Sequence, residues 1–226
     1  MFLDQGMIIF VLPAMLFALY AQSKVKSTYN KYARVFSKKG FTGAQVARKL
    51  LDDMGLYDVD VELTGGHLTD HYDPRSKKVR LSREVYHGNS LAALSIAAHE
   101  TGHASQHANG YFFLTFRNNI FPVAQIGSQM AMPLFLAGFF FGSGILMEVG
   151  IALFSFAVLF QIITLPVEFN ASSRAMAMLS AAGFIYPDEE RGAKRVLDAA
   201  ALTYVAATAV ALAQILRLLL LRNRRD

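Results

Sequence analysis

Long apolar runs alternate along this chain with stretches of mixed polarity. Residues 6–21 (GMIIFVLPAMLFALYA) carry no charge, and the run is a little shorter than the roughly 20 residues that span a bilayer comfortably. Lys24, Lys26, Lys31, Arg34, Lys38 and Lys39 all follow it, whereas a secretory leader places its positive charge before the apolar core. Residues 1–23 are therefore expected to form a retained anchor with its N-terminus outside.

Beyond the anchor the pattern becomes that of a folded polar domain, expected over residues 24–120. Thr42 can cap a helix whose Val46, Leu50, Leu51 and Met54 share a face, with Gly55 as its stop. Val59, Val61 and Leu63 alternate with Asp60 and Glu62 as a half-buried strand would, and Gly65 and Gly66 end it. A second strand is predicted in residues 67–72. It turns at Asp73-Pro74-Arg75-Ser76 into residues 78–81, a β-hairpin with proline at the turn position it favours. A helix capped by Asn89 or Ser90 follows, running through small and apolar residues.

Residues 121–165 are apolar apart from a break near Gly142-Ser143-Gly144, with Glu148 close to the turn as an interfacial carboxylate. Each half can cross a bilayer, so a transmembrane hairpin is expected with spans near residues 122–141 and 145–165. Polar groups return in LPVEFNASSRA, and Pro187 with Asp188, Glu189 and Glu190 opens another helix with acids at its positive dipole end. Residues 166–198 would thus complete the polar domain. Residues 199–216 read as a fourth span, closed by Arg217, Arg222, Arg224 and Arg225 in a C-terminal segment of residues 199–226. The basic region after the anchor places residues 24–117 in the cytoplasm and the hairpin returns the chain there; the basic tail then conflicts with a fourth crossing, so that either residues 199–216 fail to cross or, the favoured reading, the larger basic region overrules the short tail.

Composition agrees with a membrane protein: 54% of the 226 residues are hydrophobic and only 17% are charged, with a mean hydropathy of +0.32. The chain has no cysteine, which excludes disulfides and thiolate zinc sites and leaves His, Asp and Glu as metal donors. The net charge of +5 comes from basic residues beside apolar runs, without a nucleic-acid-binding motif, and reads as a topology signal.

The chemistry concentrates in residues 91–107, LAALSIAAHETGHASQH, where His99, Glu100 and His103 spell HExxH. On an α-helix the two histidines lie about 6 Å apart along the axis and about 40° apart around it, so both imidazoles can reach one ion. Zn²⁺ suits that pair, and the carboxylate between them can take a proton from water activated by the metal. A third protein ligand is expected. His107 lies a further turn along the same helix and would miss the shared ion, which leaves it a supporting role. Glu168 fits better, because two successive spans return it to the face that carries His99 and His103. Asp188, Glu189 and Glu190 share that face but are explained as helix-start charges.

Four stretches, HETGHASQH at 99–107, GHLTDHYDP at 66–74, PVEFNASSRA at 166–175 and the segment 199–222, together resemble the YugP-like neutral zinc metallopeptidases, a bacterial membrane family similar in pattern to HtpX-type gluzincins. The resemblance covers nearly the whole chain. It implies an α+β membrane protein in which a small gluzincin-like zinc-peptidase unit, the HExxH helix plus a short β-hairpin, is carried on about four transmembrane helices. It also implies one catalytic zinc on His99, His103 and Glu168, with Glu100 as general base. The broader gluzincin pattern often has an aspartate four residues after the ligand glutamate. Ser172 stands there in this chain, so Asn170, Ser172 or Arg174 is expected to orient the ligands instead.

The expected activity is metalloendopeptidase cleavage of peptide or protein substrates, membrane proteins among them, in the cell membrane with the active site on its cytoplasmic face. His71 and Tyr72 on the hairpin are candidate catalytic residues as oxyanion donors, and the hairpin edge can align an extended substrate. Two other readings share the site: a scaffold or chaperone with a structural metal, and a zinc hydrolase of lipid or another amide. No nucleic-acid partner is expected.

Overall fold

Thr42 begins the first helix of the polar part with a capping box: its hydroxyl accepts the Gln45 N–H and the Gln45 side chain accepts the Thr42 N–H. The computed structural model describes residues 4–223, so the first three residues of the expected anchor, and Arg224 and Arg225 of the basic tail, lie outside the described residues. Helix α1 (Leu12–Tyr32) opens with a π-turn at Met7–Val11. There follow α2 (Gly43–Asp53), β1 (Asp60–Thr64), β2 (His71–Asp73), β3 (Lys78–Ser82), α3 (Arg83–Tyr86), α4 (Leu91–Ala108), α5 (Phe112–Phe141), α6 (Gly144–Ala181) and α7 (Pro187–Asn223).

The chain forms two compact units. One comprises Ser23–Leu114 and Val167–Leu202, and the remaining described residues form the other. In the first unit the sheet has the order β1-β3-β2. The expected hairpin is present, with His71 opposite Arg80 and Tyr72 opposite Val79, while β1 lies parallel to β3, Val61 beside Val79.

The second strand is shorter than its polarity pattern predicts. Asp70 turns its carboxylate inward to accept the Ser82 N–H at 2.7 Å and the Ser82 hydroxyl at 3.0 Å. That contact takes the N–H a longer ladder would use, and Leu68 just before it adopts a left-handed φ of 54°.

Helix α4 is enclosed on both flanks, which explains why it lacks a polar stripe. Its Ala93, Ala97 and Ala104 pack with Leu51, Val79, Leu81 and Val85. On the other side Leu91, Leu94 and Ala98 pack with Tyr29 and Tyr32 of α1, Leu179 of α6 and Val196 of α7. Burying each of the larger aliphatic side chains stabilises this unit by about 1.5–3 kcal/mol.

These contacts also explain helix lengths that exceed the apolar runs. Helix α1 continues to Tyr32 because Tyr29 and Tyr32 are buried. Helix α6 passes through Pro166, and its Ala171, Ala175 and Leu179 are fully buried. Helix α7 joins the acidic start at Pro187 to the last apolar run without a break at Asp198.

In the second unit α5 and α6 turn at Gly142, whose φ of 78° suits glycine. The pair comes close where Gly127 faces the Leu153 carbonyl and Gly150 faces the Ala131 carbonyl, the small-residue contact typical of membrane helices. Glu148 pairs with Arg222 at 2.6 Å and Asp4 with Arg217 at 2.7 Å. Four helical segments, Met7–Tyr32, Phe112–Phe141, Gly144–Ala181 and Pro187–Asn223, are long and apolar enough to cross a membrane.

Candidate metal centre

The start of α4 is fixed twice over. Ser90 caps it by accepting the Ala93 N–H at 3.2 Å, and the chain around it pairs with residues 35–37, where Leu91 N–H donates to the Val35 carbonyl and Ser37 N–H to the Asn89 carbonyl, each at 2.8 Å. From that start the helix brings His99 and His103 onto one face, their rings edge to face with centroids 4.7 Å apart. Helix α6 answers with Glu168, Ala171, Ser172 and Ala175, whose spacing of three, four and seven residues puts them on one face.

Glu168, only 4% exposed, sets one oxygen, Oε2, 3.2 Å from His99 Nε2 and 3.5 Å from His103 Nε2. One donor atom from each of the three residues lies within 4.8 Å of the other two. Donors about 2.0–2.1 Å from a tetrahedral zinc ion stand about 3.3–3.4 Å from one another. The two imidazoles and one carboxylate therefore fit zinc in both chemistry and spacing.

The contacts behind His103 state where its Nδ1 proton sits. Gln106, fully buried on α4, donates from Nε2 to the Val167 carbonyl at 2.8 Å and to Asn170 Oδ1 at 3.0 Å. A carbonyl only accepts, so the amide nitrogen must face it, and Oε1 then faces His103 Nδ1 at 3.0 Å. His103 must donate from Nδ1. Its Nε2 then faces the Glu168 carboxylate, so that either a proton on Nε2 or a cation bound between the two bridges them. Arg174 extends the network, donating to Asn170 Oδ1 at 2.8 Å and to Ser105 Oγ at 3.0 Å. Ser172 Oγ lies 3.2 Å from His99 Nδ1, so a hydroxyl stands where the broader gluzincin pattern has a carboxylate.

Glu100, between the two histidines in the sequence, is buried. Burial pushes its carboxyl up to about 7; the nearby Glu168 and Asp70 carboxylates act in the same direction, opposed by His99 and by the Tyr72 backbone N–H that it accepts. The hairpin residues are placed differently from one another. The Tyr72 hydroxyl is hydrogen-bonded to His107 Nδ1 at 2.8 Å, and its phenol is pushed up to about 12 chiefly by burial. His71 is exposed, with Nδ1 at 2.8 Å from the Thr69 carbonyl. His107 is exposed and stands apart from the three-donor group. Asp188 and Glu190 hold Lys38 and Ser180, and Glu189 accepts the Lys38 and Tyr186 backbone N–H groups.

Two residues of this site escaped the sequence reading. Gln106 had a legible signal, a polar side chain three residues after His103 on the same helix face. Gly102 had none, because its importance lies in what α6 places beside it.

From residue 7 to residue 223 the chain matches the family described as "Putative neutral zinc metallopeptidase". It is also 53% identical over 210 residues, 92% of this chain and 93% of the relative, to the protein of Bacillus subtilis (strain 168) named "Putative membrane protease YugP". No solved structure matches it. With the match spanning the helices of both units and the two helices that bring His99, His103 and Glu168 together, the chain belongs to this zinc metallopeptidase family.

Proposed function

We propose that the protein is a membrane-embedded zinc endopeptidase in which His99, His103 and Glu168 hold one zinc ion and Glu100 is the general base. The observation that carries this reading is the convergence of three donors at zinc spacing, with the buried Glu168 carboxylate 3.2 Å from His99 Nε2 and 3.5 Å from His103 Nε2. Bound there, zinc would supply Lewis acidity toward water and toward the scissile carbonyl. Three donors rather than four among the described residues favour catalysis over a purely structural ion, because a position stays open.

Glu100 accepts a proton from the attacking water as its oxygen bonds to the carbonyl carbon, then delivers that proton to the amine nitrogen as the C–N bond breaks. Burial raises this carboxyl above the usual range, so that it can hold the proton between the two transfers, and the charge of a bound zinc would act in the opposite direction. Gln106 and Ser172 hold the ring orientations of His103 and His99. His71, exposed on the edge strand β2, is the oxyanion donor in this reading in its imidazolium form, since Nδ1–H is held by the Thr69 carbonyl and a second proton on Nε2 is needed to donate, while the Tyr72 hydroxyl is engaged by His107. Apart from the Tyr72 N–H held by Glu100, the outer edge of β2 can align an extended peptide or protein substrate. With four crossings, residues 33–111 and 182–186 share one face, and the basic residues after the first span favour the cytoplasm.

Purified full-length protein in detergent tests this directly. Glu100→Gln should retain one zinc per chain and lose peptide cleavage; Glu168→Gln should lose both, as should chelation of the wild type with recovery on added zinc. Cleavage by Glu100→Gln at the wild-type rate would remove Glu100 as base.

A further inference from the structure

Away from the metal centre, a cavity of about 620 Å³ lies between α1 and the N-terminal half of α7. Lys24, Lys31 and Arg195 line it together with the hydroxyls of Ser27 and Thr28. Among the described residues none of these three cations is paired with a carboxylate. Arg195 donates to the Tyr32 hydroxyl at 3.3 Å, and Lys31 lies over the Tyr32 ring. The acid in the lining, Asp198, is already occupied, since Lys194 bonds both its oxygens at 2.8 and 2.7 Å. The Ser27 hydroxyl already donates to the Lys24 carbonyl at 3.0 Å, so the cavity gathers uncompensated positive charge with the Thr28 hydroxyl beside it, which is the chemistry that receives a phosphate or phosphodiester anion.

Its place along the helices selects the source of that anion. Lys24 comes three residues after the apolar run of α1 ends at Ala21, and the apolar run of α7 begins at Ala199, itself part of the lining with Leu202. Basic groups at the end of two apolar helices, over an apolar margin, match a lipid whose headgroup is anionic and whose chains lie along the helices. We propose that this cavity is a binding site for the phosphodiester headgroup of an anionic phospholipid, held by Lys24, Lys31 and Arg195.

The test uses the full chain in nanodiscs of phosphatidylcholine containing a small fraction of phosphatidylglycerol, with lipid retained on detergent extraction counted by native mass spectrometry. Wild type should retain phosphatidylglycerol in preference to phosphatidylcholine. Each basic residue near an anionic surface contributes about a fivefold preference, so the triple variant Lys24→Gln, Lys31→Gln, Arg195→Gln should lose at least about tenfold of it. Its zinc content should be unchanged, showing that it is folded. A control of equal charge change, Lys26→Gln, Arg34→Gln, Lys39→Gln, should keep the preference. Equal retention of the two lipids by wild type, an undiminished preference in the first variant, or an equal loss in the control would overturn the proposal. Displacement of the lipid by millimolar inorganic phosphate alone would also overturn it, assigning the cavity to a free anion.

Discussion

Gly102 and the Ala171 carbonyl leave no room for a side chain between them: a β-carbon on Gly102 would stand 2.7 Å from that oxygen and 3.3 Å from the Ala171 Cα. Both obstacles are backbone, so neither can rotate away. Gly102→Ala should push α4 and α6 apart, widen the separation between His103 and Glu168, and destabilise the fold by about 1–3 kcal/mol. Zinc affinity measured by chelator competition should fall at least about tenfold. Wild-type affinity in this variant would show that the helix crossing does not set the spacing of the donors.

Gln106 is expected to act through His103 alone. Gln106→Leu should weaken zinc binding by about 10–100-fold and release His103 from its Nδ1–H form in the zinc-free protein, a change read from the imidazole ¹⁵N shifts. Gln106→Glu keeps an acceptor at Nδ1 and should retain that form. Unchanged ¹⁵N shifts in the leucine variant would reduce Gln106 to packing.

The two hairpin residues separate by their partners. His71→Ala should lower kcat by about 100-fold or more, as loss of an oxyanion donor does, with zinc content intact. Tyr72→Phe and His107→Ala should each cost about 0.5–1.5 kcal/mol of stability, and the double variant little more, since the same hydrogen bond is lost each time. Additive losses would mean that the two side chains act independently.

Asp73 gives the hairpin a pH dependence. Hydrogen bonds from Ser76 and the Arg75 N–H, with help from Arg80, hold its carboxyl well below the usual range. The folded carboxyl binds its proton less readily than the unfolded one, so the stabilisation is present above the unfolded value of about 3.9 and is lost as pH falls through the folded one. Amide exchange in residues 71–82 should accelerate in acid relative to the α2 amides, and Asp73→Asn should abolish that dependence. An identical acid response in the variant would exclude Asp73 as its source.

Membrane orientation can be read with single cysteines, since the chain has none. An impermeant thiol reagent on intact cells should label Ser143→Cys, in the turn between α5 and α6, and label Arg75→Cys, in the hairpin turn, only after permeabilisation. The reverse pattern would place the metal centre outside.

What could be read from the chain followed the reach of local interactions. The capping of α2 by Thr42, the hairpin turn, the HExxH helix and the four apolar spans each depend on neighbours within a turn or two, and each is present. Glu168 required one longer inference, that two spans bring a chain back to the face it left. Helix ends were less legible, because Tyr32, Leu179 and Val196 extend their helices for the sake of a shared core that polarity patterns do not encode.

By itself the sequence determined which residues carry donor atoms and that His99 and His103 share a helix face, since the 3.6-residue turn sets that spacing wherever the helix lies. Only the tertiary structure decided that Glu168 comes within 3.2 Å of His99, that Gln106 fixes the proton of His103, and that Gly102 is where α4 and α6 can meet. The first and last join residues more than sixty positions apart, and Gln106 is oriented by the Val167 carbonyl sixty-one positions away; the approach of two backbones depends on the packing around both helices, which no single stretch of chain contains.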